Sequence, residues 1–278
     1  MKYDFVLFSS ANVGLQFFKQ LVADKFYKRI NIKAVVVCQD KRNPYFIEGV
    51  SDAVKLYAQK NNIEVLMHPD ELDTSVSYDL GLSLSNFHIL KDRHIDLFKN
   101  GIINFHGAPV LWYAGSATPV YHILTKDTSE WGYTYHYIDE GIDSGDIIKQ
   151  VIYSLPPGLN SKEIDASVMV EAKKEFPFFI QELLENNLDL TNKCIRQTHT
   201  NPKIVRRKEL GEYNSFDMNI ESDSLERVLR AFDWPAIVEH PSILVNNQKV
   251  RVVPERTYQE LLAIFRRFSN TDKIKYED

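Results

Sequence analysis

The sequence predicts an α/β fold, in which a mostly parallel sheet is flanked by helices and followed by a small C-terminal α+β subdomain. Strand-like and helix-like segments alternate over the first 90 residues, and the period then changes to strict apolar alternation. A basic, turn-rich segment begins after roughly residue 190. Because β-α-β units form parallel strands joined by right-handed crossovers, the first half is expected to build a Rossmann-like sheet.

The first half supplies the parallel strands and the helices that connect them. Short apolar segments rich in β-branched or aromatic residues are predicted strands, at Tyr3 to Phe8, Ile32 to Cys38, Ile63 to Met67, Tyr78 to Leu84 and Gly101 to Phe105. Apolar residues at helical spacing predict helices at Leu15 to Val22, Asp52 to Gln59 and Asp92 to Lys99.

The second half departs from this alternation. Two segments with alternating apolar residues, Trp131 to Tyr137 and Ile147 to Ser154, predict an antiparallel pair added to the sheet. A long helix is expected from Ser161 to about Leu184, with a kink or break at Pro177.

The segment beyond this helix forms the predicted subdomain. Its expected elements are a helix at Leu225 to Phe232, hairpin strands at Ile243 to Val245 and Val250 to Val253 with Asn246 and Asn247 at the turn, and a terminal helix at Glu260 to Phe268. We therefore expect a main domain at residues 1–190 and a small subdomain at residues 191–278.

The composition is that of a soluble globular protein. Of 278 residues, 44% are hydrophobic and 26% are charged, and the net charge of −5 disfavours a nucleic-acid binder, which needs a concentrated cationic surface. Cys38 and Cys194 are too few for a disulfide framework, and no His/Cys cluster predicts a metal site. Without a long apolar run or a signal-peptide pattern, we expect a cytoplasmic protein that does not associate with membranes.

The turn after the first strand, FSSANVG, has neither the glycine spacing of a dinucleotide-binding loop nor a P-loop. A Rossmann nucleotide site there is weakly supported. Ser9 and Ser10 are candidate substrate-binding residues in this turn, although capping of the following helix is the simpler interpretation.

Asn104 and His106 form the first candidate catalytic cluster, at the end of a predicted strand. Since side chains alternate along a strand, both lie on the same face, at the sheet edge where open α/β folds bind ligands. An amide beside an imidazole can stabilise an oxyanion and manage a proton. Two satisfied polar groups at a strand end are the competing interpretation.

The second cluster is acidic, because the loop DEGIDSGD between the alternating strands contains Asp139, Glu140, Asp143 and Asp146. Most of these carboxylates are expected to be exposed to water, and their spacing does not match a calcium loop. The alternative with a chemical consequence is that one carboxylate packs on His106 and orients or charges it.

In combination, the two clusters resemble the formyltransferases that use 10-formyltetrahydrofolate. That family carries Asn-x-His, then a Pro-containing loop that ends in Gly, then Asp-x-Gly-x-Ile. The same order is present here in Asn104 and His106, in Gly115, and in the segment DSGDI that begins at Asp143. The segment GYTYHYID resembles the family's GVTLH strand, and the resemblance extends over nearly the whole chain, most clearly over residues 78–155.

The resemblance implies a formyl-transferring enzyme whose catalytic domain is residues 1–190 and whose catalytic trio is Asn104, His106 and Asp143. It also implies 10-formyltetrahydrofolate as the formyl donor, and no metal. The implied folate-binding residues are Ser85, Asn86, Phe87, His88, Ile89, Leu90 and Asp139.

The loop after His106 departs from the pattern of family members that act on tRNA. Those members usually have SLLPxxRG, whereas this chain has APVLWYAG starting at Ala108, so that Ala114 replaces the basic residue. Trp112 and Tyr113 are candidate substrate-binding residues that could stack on a base or a sugar. Packing of this loop on the domain explains the two aromatic residues equally well.

The short tail and the acidic chain are most similar to the nucleotide-sugar N-formyltransferases. This resemblance implies a homodimer, with no nucleic-acid or membrane partner, that acts on a dTDP- or GDP-linked amino-dideoxy sugar for surface polysaccharide, the O-antigen of lipopolysaccharide. The basic residues from Lys203 to Lys208 could contact a diphosphate, although a solvated turn is the simpler interpretation.

Two alternative functions are kept beside the sugar N-formyltransferase, namely a methionyl-tRNA formyltransferase-like enzyme and a non-catalytic nucleotide-binding protein. Whether His106 or Asp143 takes the amine proton is left open.

Overall fold

The structure is a computed structural model that describes residues 2–10, 12–23, 28–38, 50–127, 129–197, 202–216, 220–234, 238–245, 248–256 and 259. In chain order the strands are β1 (Tyr3–Phe8), β2 (Ile30–Val36), β3 (Glu64–Leu66), β4 (Leu80–Leu84), β5 (Ile102–His106), β6 (Tyr113–Gly115), β7 (Glu130–Tyr137), β8 (Ile147–Ser154), β9 (Lys203–Val205), β10 (Ser215–Phe216), β11 (Ser242–Val245) and β12 (Gln248–Arg251). The helices are α1 (Asn12–Ala23), α2 (Val50–Lys60), α3 (Asp92–Ile95), α4 (Thr118–Thr125), α5 (Ser161–Glu185) and α6 (Ser222–Ala231). Within the described ranges, every helix is too short or too polar to cross a lipid bilayer.

The main sheet has seven strands in the order β3-β2-β1-β4-β5-β7-β8. The first five strands in this order are parallel, whereas β7 is antiparallel to both β5 and β8. The loop between β7 and β8 is too short for a parallel crossover, which explains why these two strands form a hairpin-like pair. This topology confirms the predicted mostly parallel sheet with an appended antiparallel pair.

The central strand β1 contributes to the core on both faces of the sheet. Phe5 and Leu7 are buried in the larger apolar cluster, together with residues of α1 and α5 such as Phe17. Val6 and Phe8 are buried in the smaller cluster. Because both faces of β1 are covered, its sequence is a continuous apolar run rather than an alternating one.

The helix predicted at Asp92 to Lys99 is wrong in length, because α3 ends after a single turn. The chain beyond it returns to the segment that precedes β4, where Phe98 forms a parallel bridge with Tyr78 and the N–H of Lys99 donates to the Tyr78 carbonyl. Pairing with a neighbouring strand therefore overrides the local helical spacing.

The long helix α5 starts at Ser161, as predicted, and continues to Glu185, so the break predicted at Pro177 is wrong. Asn160 caps the helix by accepting the N–H of Glu163, and the Glu163 carboxylate accepts the N–H of Asn160 in return. The buried apolar face of the helix outweighs the one hydrogen bond that a proline removes.

Four of these helices and strands were not predicted, namely α4 and the short strands β6, β9 and β10. Of these, β6 and β9 pair with each other in parallel. The predicted C-terminal hairpin is confirmed as the antiparallel strands β11 and β12. Its turn at Asn246 and Asn247 and the helix predicted at Glu260 to Phe268 lie outside the described residues.

The segment that follows α5 packs against the end of the main sheet. Ile195 forms an antiparallel bridge with Ile147, and β9 pairs with β6 in the connection after β5. Ile195 and the strand β9 thus pair with parts of the chain that precede α5, and the boundary at residue 190 stays a prediction.

Asp165 on α5 gives a testable pH dependence of stability, because burial raises its pKa from 3.8 to about 6. A carboxyl group with a raised folded-state pKa contributes stability below pH 3.8 and loses it as the pH rises through 6. Since the residue is partly exposed, water screens some of the free-energy cost of burying the ionised carboxylate.

We expect Asp165→Asn to stabilise the protein at pH 7.5 by about 1–2 kcal/mol, or roughly 2–8 °C in Tm, and to have little effect near pH 3.5. Thermal melting at the two pH values checks this, and equal effects would contradict it.

Candidate active site

The candidate catalytic side chains meet at one end of the main sheet. Asn104 and His106 lie on the same face of β5, and Asp143 lies in the loop between β7 and β8. Nδ1 of His106 is 3.5 Å from Oδ2 of Asp143, and Nδ2 of Asn104 is 3.4 Å from Oδ1 of the same carboxylate. The structure therefore brings these three residues together around Asp143.

A row of polar side chains crosses three adjacent strands at this end of the sheet. Ser83 on β4, Asn104 on β5 and His136 on β7 are neighbours in the strand registers. The hydroxyl of Ser83 donates to Oδ1 of Asn104 at 2.7 Å, and Nδ2 of Asn104 lies 3.1 Å from Nε2 of His136. Ser83 and His136 are each 2% exposed, so the two ends of the row are shielded from water.

Several groups hold Asp143 in place. The N–H of Gly115 donates to its Oδ2 at 2.8 Å, and the side chain of Gln197 donates to the carbonyl oxygens of Asp143 and Gly145 at 3.1 and 2.6 Å. Asp143 has a φ of 49°, in the left-handed region that is unfavourable for residues other than glycine. Such strain persists where the surroundings stabilise it, and it is common at functional sites.

Gly115 lets the connection after β5 approach the C-terminal segment closely. Its φ is +91°, and a Cβ atom would lie 2.3 Å from the carbonyl oxygen of Val205. The N–H of Ser116 donates to the same carbonyl at 3.0 Å. Only glycine fits this position, which also supplies the N–H that binds Asp143.

The protonation states at the site follow from burial and charge. Burial lowers the pKa of His106 and outweighs the Asp143 charge and the Tyr113 carbonyl, which raise it. Burial alone would raise the pKa of Asp143, but the nearby His106 and the N–H of Gly115 are among the groups that lower it. Near pH 7 the site therefore combines an ionised carboxylate with a neutral imidazole. The carboxylate favours the His106 tautomer with its proton on Nδ1, which leaves the lone pair on Nε2.

A cleft of about 550 Å³ opens beside these groups. It is lined by Ser85, Asn86, Ile89, Asn104, Phe105, His106, Gly115, Ser116, Ile142, Asp143, Ile204, Val205, Arg206, Arg207 and Lys208. His106 borders the cleft, and its Nε2 is buried without a hydrogen-bond partner among the described residues. In the part of the chain that the structure describes, no group of three or more His, Cys, Asp or Glu side chains is arranged to hold a metal ion.

The loop after β4, which contains most of the predicted folate-binding residues, forms one wall of the cleft. Ser85, Asn86 and Ile89 line the cleft, and Ile89 is an apolar residue with 85% exposure. The Asn86 side chain donates to the carbonyl of His88 and accepts its N–H, which gives the loop its shape. His88 itself is half-buried and does not line the cleft.

Three other predicted folate-binding residues lie outside the cleft lining. Leu90 is buried in the smaller core cluster, and Phe87 is half-buried. Asp139 is exposed and accepts the N–H of Gly141 and the hydroxyl of Ser144, so it shapes the loop between β7 and β8. Contact of these residues with folate stays a prediction.

Ser9 and Ser10 are buried at the end of β1 and do not line the cleft. Oγ of Ser10 accepts the N–H of Cys38 at 2.8 Å, and the N–H of Ser10 donates to the carbonyl of Ser85 at 3.0 Å. Ser10 thus joins β1 to its two neighbouring strand ends, while substrate binding by either serine stays a prediction.

The two aromatic residues after His106 have different environments. Tyr113 is buried, its ring stacks on Trp131 at 5.9 Å between centroids, and its hydroxyl lies 3.3 Å from Nδ1 of His122. Trp112 is half-buried, with Nζ of Lys126 5.3 Å from its ring centroid. Packing on the domain, the alternative considered from the sequence, therefore accounts for Tyr113. Trp112 keeps some exposed surface, and neither residue lines the cleft.

Three polar residues that contact Asn104 or Asp143 were not singled out from the sequence, namely Ser83, His136 and Gln197. His136 lies directly opposite Asn104 in the antiparallel pairing of β5 with β7, so a correct strand register would have identified it. Gln197 contacts Asp143 across 54 positions of sequence, and no local pattern predicts that contact.

Comparison with known proteins gives one family. The formyl transferase family pattern matches residues 6–180, more than half of the chain. A methionyl-tRNA formyltransferase from Limosilactobacillus fermentum is 26% identical over 237 residues, which cover 81% of this chain and 71% of that protein. Another from Endomicrobium trichonymphae is 29% identical over 143 residues, which cover 49% of this chain and 46% of that protein. The chain thus spans less than half the length of this second relative.

Solved structures share the fold. An N-formyltransferase from Helicobacter canadensis, in complex with folinic acid and dTDP-3-aminofucose, has a TM-score of 0.68 and 19% identity, covering 90% of this chain and 86% of that one. A 4-N formyltransferase from Francisella tularensis has a TM-score of 0.66 and 22% identity, covering 91% and 97%. At these identities the likeness establishes a common fold, which agrees with the predicted Rossmann-like α/β class.

Proposed function

This chain belongs to the formyl transferase family, and from that premise we propose that it transfers a formyl group from 10-formyltetrahydrofolate to the amine of a dTDP- or GDP-linked amino-dideoxy sugar. The observation that carries the proposal is the composition of one cleft. Asn104, His106 and Asp143 line it together with the basic segment Arg206 to Lys208. The first set suits acyl transfer to an amine, and the second suits a diphosphate.

The wall formed by the loop after β4 fits a folate donor. Ile89 offers an exposed apolar surface for a flat ring, and polar groups of Ser85 and Asn86 lie beside it. When bound, 10-formyltetrahydrofolate supplies the formyl group. Because this wall and the candidate trio border the same cleft, the formyl donor and the amine substrate can meet there.

In the proposed reaction the three polar residues have separate tasks. Nδ2 of Asn104 donates to the oxygen that gains negative charge as the amine attacks, and loss of such a donor typically costs about 10²–10³ in rate. Nε2 of His106 takes the amine proton, since the ionised Asp143 holds the proton of the resting ring on Nδ1. Asp143 keeps its charge and stabilises the imidazolium. When the tetrahedral intermediate collapses, the bond between the formyl carbon and the donor nitrogen breaks, and His106 returns the proton to that nitrogen as tetrahydrofolate leaves. We therefore propose His106 as the proton acceptor, a choice that the sequence left open.

The basic segment supports a nucleotide diphosphate as the anionic part of the amine substrate. A diphosphate needs a few local cations, whereas tRNA binding depends on many phosphate contacts. The net charge of −5 provides no extended positive field. Ala114, which stands where tRNA-specific family members have a basic residue, is fully buried in β6. The Helicobacter canadensis structure, a complex with folinic acid and dTDP-3-aminofucose, supports the same two ligand classes.

We extend the proposal to the cellular setting implied by the sugar N-formyltransferases. The enzyme would act in the cytoplasm as a homodimer, without a nucleic-acid or membrane partner, and its product would enter surface polysaccharide such as the O-antigen. These statements rest on the resemblance and on the acidic composition, and each is open to direct measurement of oligomeric state and product.

The decisive experiment offers one enzyme preparation two classes of substrate with 10-formyltetrahydrofolate. A panel of dTDP-, GDP- and UDP-linked amino sugars is compared with charged initiator methionyl-tRNA, and release of tetrahydrofolate is followed by absorbance. We expect turnover with at least one nucleotide sugar. Efficient formylation of the tRNA without turnover of any nucleotide sugar would favour the methionyl-tRNA formyltransferase-like enzyme instead. No transfer to any amine would favour a non-catalytic nucleotide-binding protein.

The basic segment can be tested with Lys208→Gln. If the Lys208 ammonium contacts the diphosphate, its loss should raise KM for the nucleotide sugar about 10-fold, because a hydrogen bond to a charged group contributes roughly 1.5–3 kcal/mol. KM for the folate donor should not change. Lys203→Gln is the matched control, because Lys203 belongs to the same basic stretch but does not line the cleft. Equal KM values in the wild-type protein and Lys208→Gln would remove Lys208 from the diphosphate site.

A further inference from the structure

The position of the Nδ1 proton of His136 follows from a contact with the backbone of the next residue. Its Nδ1 lies 2.7 Å from the carbonyl oxygen of Tyr137. A carbonyl oxygen only accepts, so Nδ1 carries a proton. Nε2 lies 3.1 Å from Nδ2 of Asn104 and 3.5 Å from Oδ1 of Asp143. The closer of these two groups is a donor, which Nε2 meets with its lone pair. At 2% exposure the imidazole has almost no contact with water that could compete for these atoms.

Each polar atom of the neighbouring Asn104 amide then has a defined partner. Oδ1 accepts the Ser83 hydroxyl at 2.7 Å, while Nδ2 lies 3.1 Å from Nε2 of His136 and 3.4 Å from Oδ1 of Asp143. A reversed amide would place Oδ1 against the lone pair of His136 and the carboxylate of Asp143, which are both acceptors. The network therefore permits one orientation of the amide.

The two contacts of Nδ2 differ in strength. The one to Nε2 of His136 has an ordinary hydrogen-bond length, whereas the one to Asp143 lies beyond the usual range for N–H···O. The weaker contact is the one that a developing oxyanion in the cleft can replace. The contact with His136 then remains as the fixed point of the amide.

We infer that His136 is a positioning residue of this site, whose Nε2 holds one N–H of Asn104 so that the other N–H is directed to the reacting oxygen. The inference rests on the proposed function, because it assigns that second N–H to formyl transfer. His136 itself does not touch the substrate in this scheme. It acts through Asn104, with Ser83 holding the opposite end of the same amide.

The test compares two substitutions of one residue. His136→Leu removes the acceptor, and His136→Gln replaces it by an amide oxygen. We expect His136→Leu to lower kcat roughly 10- to 100-fold, the usual consequence of misplacing a catalytic group, with KM for both substrates nearly unchanged. His136→Gln should recover much of this loss, even where thermal melting finds the two variants equally stable. Adding Ser83→Ala to His136→Leu should cost less than the sum of the single effects, because both act through Asn104.

A second readout does not depend on activity. In protein labelled with ¹⁵N-histidine, two-bond proton–nitrogen spectra should show the His136 proton on Nδ1, the signal being assigned by its absence from His136→Gln. A proton on Nε2, or wild-type kcat in His136→Leu while the wild-type enzyme transfers formyl groups, overturns the inference and leaves the proposed function standing. A wild-type protein that formylates no amine overturns both.

Discussion

Replacing Asp143 by Asn is expected to lower kcat for formyl transfer by about 10³-fold or more while the fold stays intact. The amide oxygen of Asn can still accept the N–H of Gly115, so the loop between β7 and β8 keeps its main anchor. What is lost is the negative charge 3.5 Å from Nδ1 of His106. Without it the imidazolium that forms during proton transfer is no longer stabilised, and the tautomer with the lone pair on Nε2 is no longer favoured.

Steady-state kinetics at saturating substrates and thermal melting provide the measurement. Asp146→Asn is the matched control, since Asp146 lies in the same loop but does not line the cleft, and it should retain near-wild-type kcat. The pKa of Asp143 is held below its ordinary value, so its carboxylate is ionised across the assay range and contributes no limb to the pH profile. Full activity of a folded Asp143→Asn protein would contradict the catalytic role proposed for Asp143.

The second large effect is expected for His106→Asn, which should reduce kcat by about 10²–10³-fold. Asn supplies an amide of smaller size but no nitrogen that can take the amine proton near neutral pH. The polar row formed by Ser83, Asn104 and His136 does not include His106, so the sheet should fold normally. Retention of wild-type kcat in this variant would show that the proton goes elsewhere.

The pH profile distinguishes loss of a base from loss of a packing group. In the wild-type enzyme the rate should rise with pH as His106 and the substrate amine lose their protons, and then become constant. Burial lowers the pKa of His106, so its contribution lies on the acid side of the ordinary histidine range. In His106→Asn this contribution should disappear and only the substrate amine should titrate. An unchanged profile at reduced rate would contradict proton transfer by His106.

The order of strands and helices in the first domain could be predicted from the sequence because it depends on local information. Apolar runs predicted β1 and β2, and apolar residues at helical spacing predicted α1. Alternating apolar residues predicted β7 and β8. Likewise, Asn104 and His106 share a face of β5 because the side-chain period of a strand is two, which holds in any fold. Errors occurred where tertiary contacts outweighed local preference, as at the short helix α3 and at Pro177 within α5.

The composition of the site was decided in part by contacts that no local pattern encodes. His136 reaches Asn104 because β7 pairs antiparallel to β5 in one register, and a shift by one residue would turn its side chain to the other face. Gln197 and Val205 reach the site only after the chain has passed through α5 and returned to the sheet.

By itself, then, the sequence determined the class of fold, and it offered Asn104, His106 and Asp143 as candidate catalytic residues through their resemblance to the motifs of a known family. Only the tertiary structure decided that Tyr113 is buried, that the segment Arg206 to Lys208 borders the same cleft as Asn104, and which atoms of the cleft have partners. The physical reason is that periodicity and turn chemistry act over a few residues. Distances between groups far apart in sequence depend on strand register and on packing of the whole core.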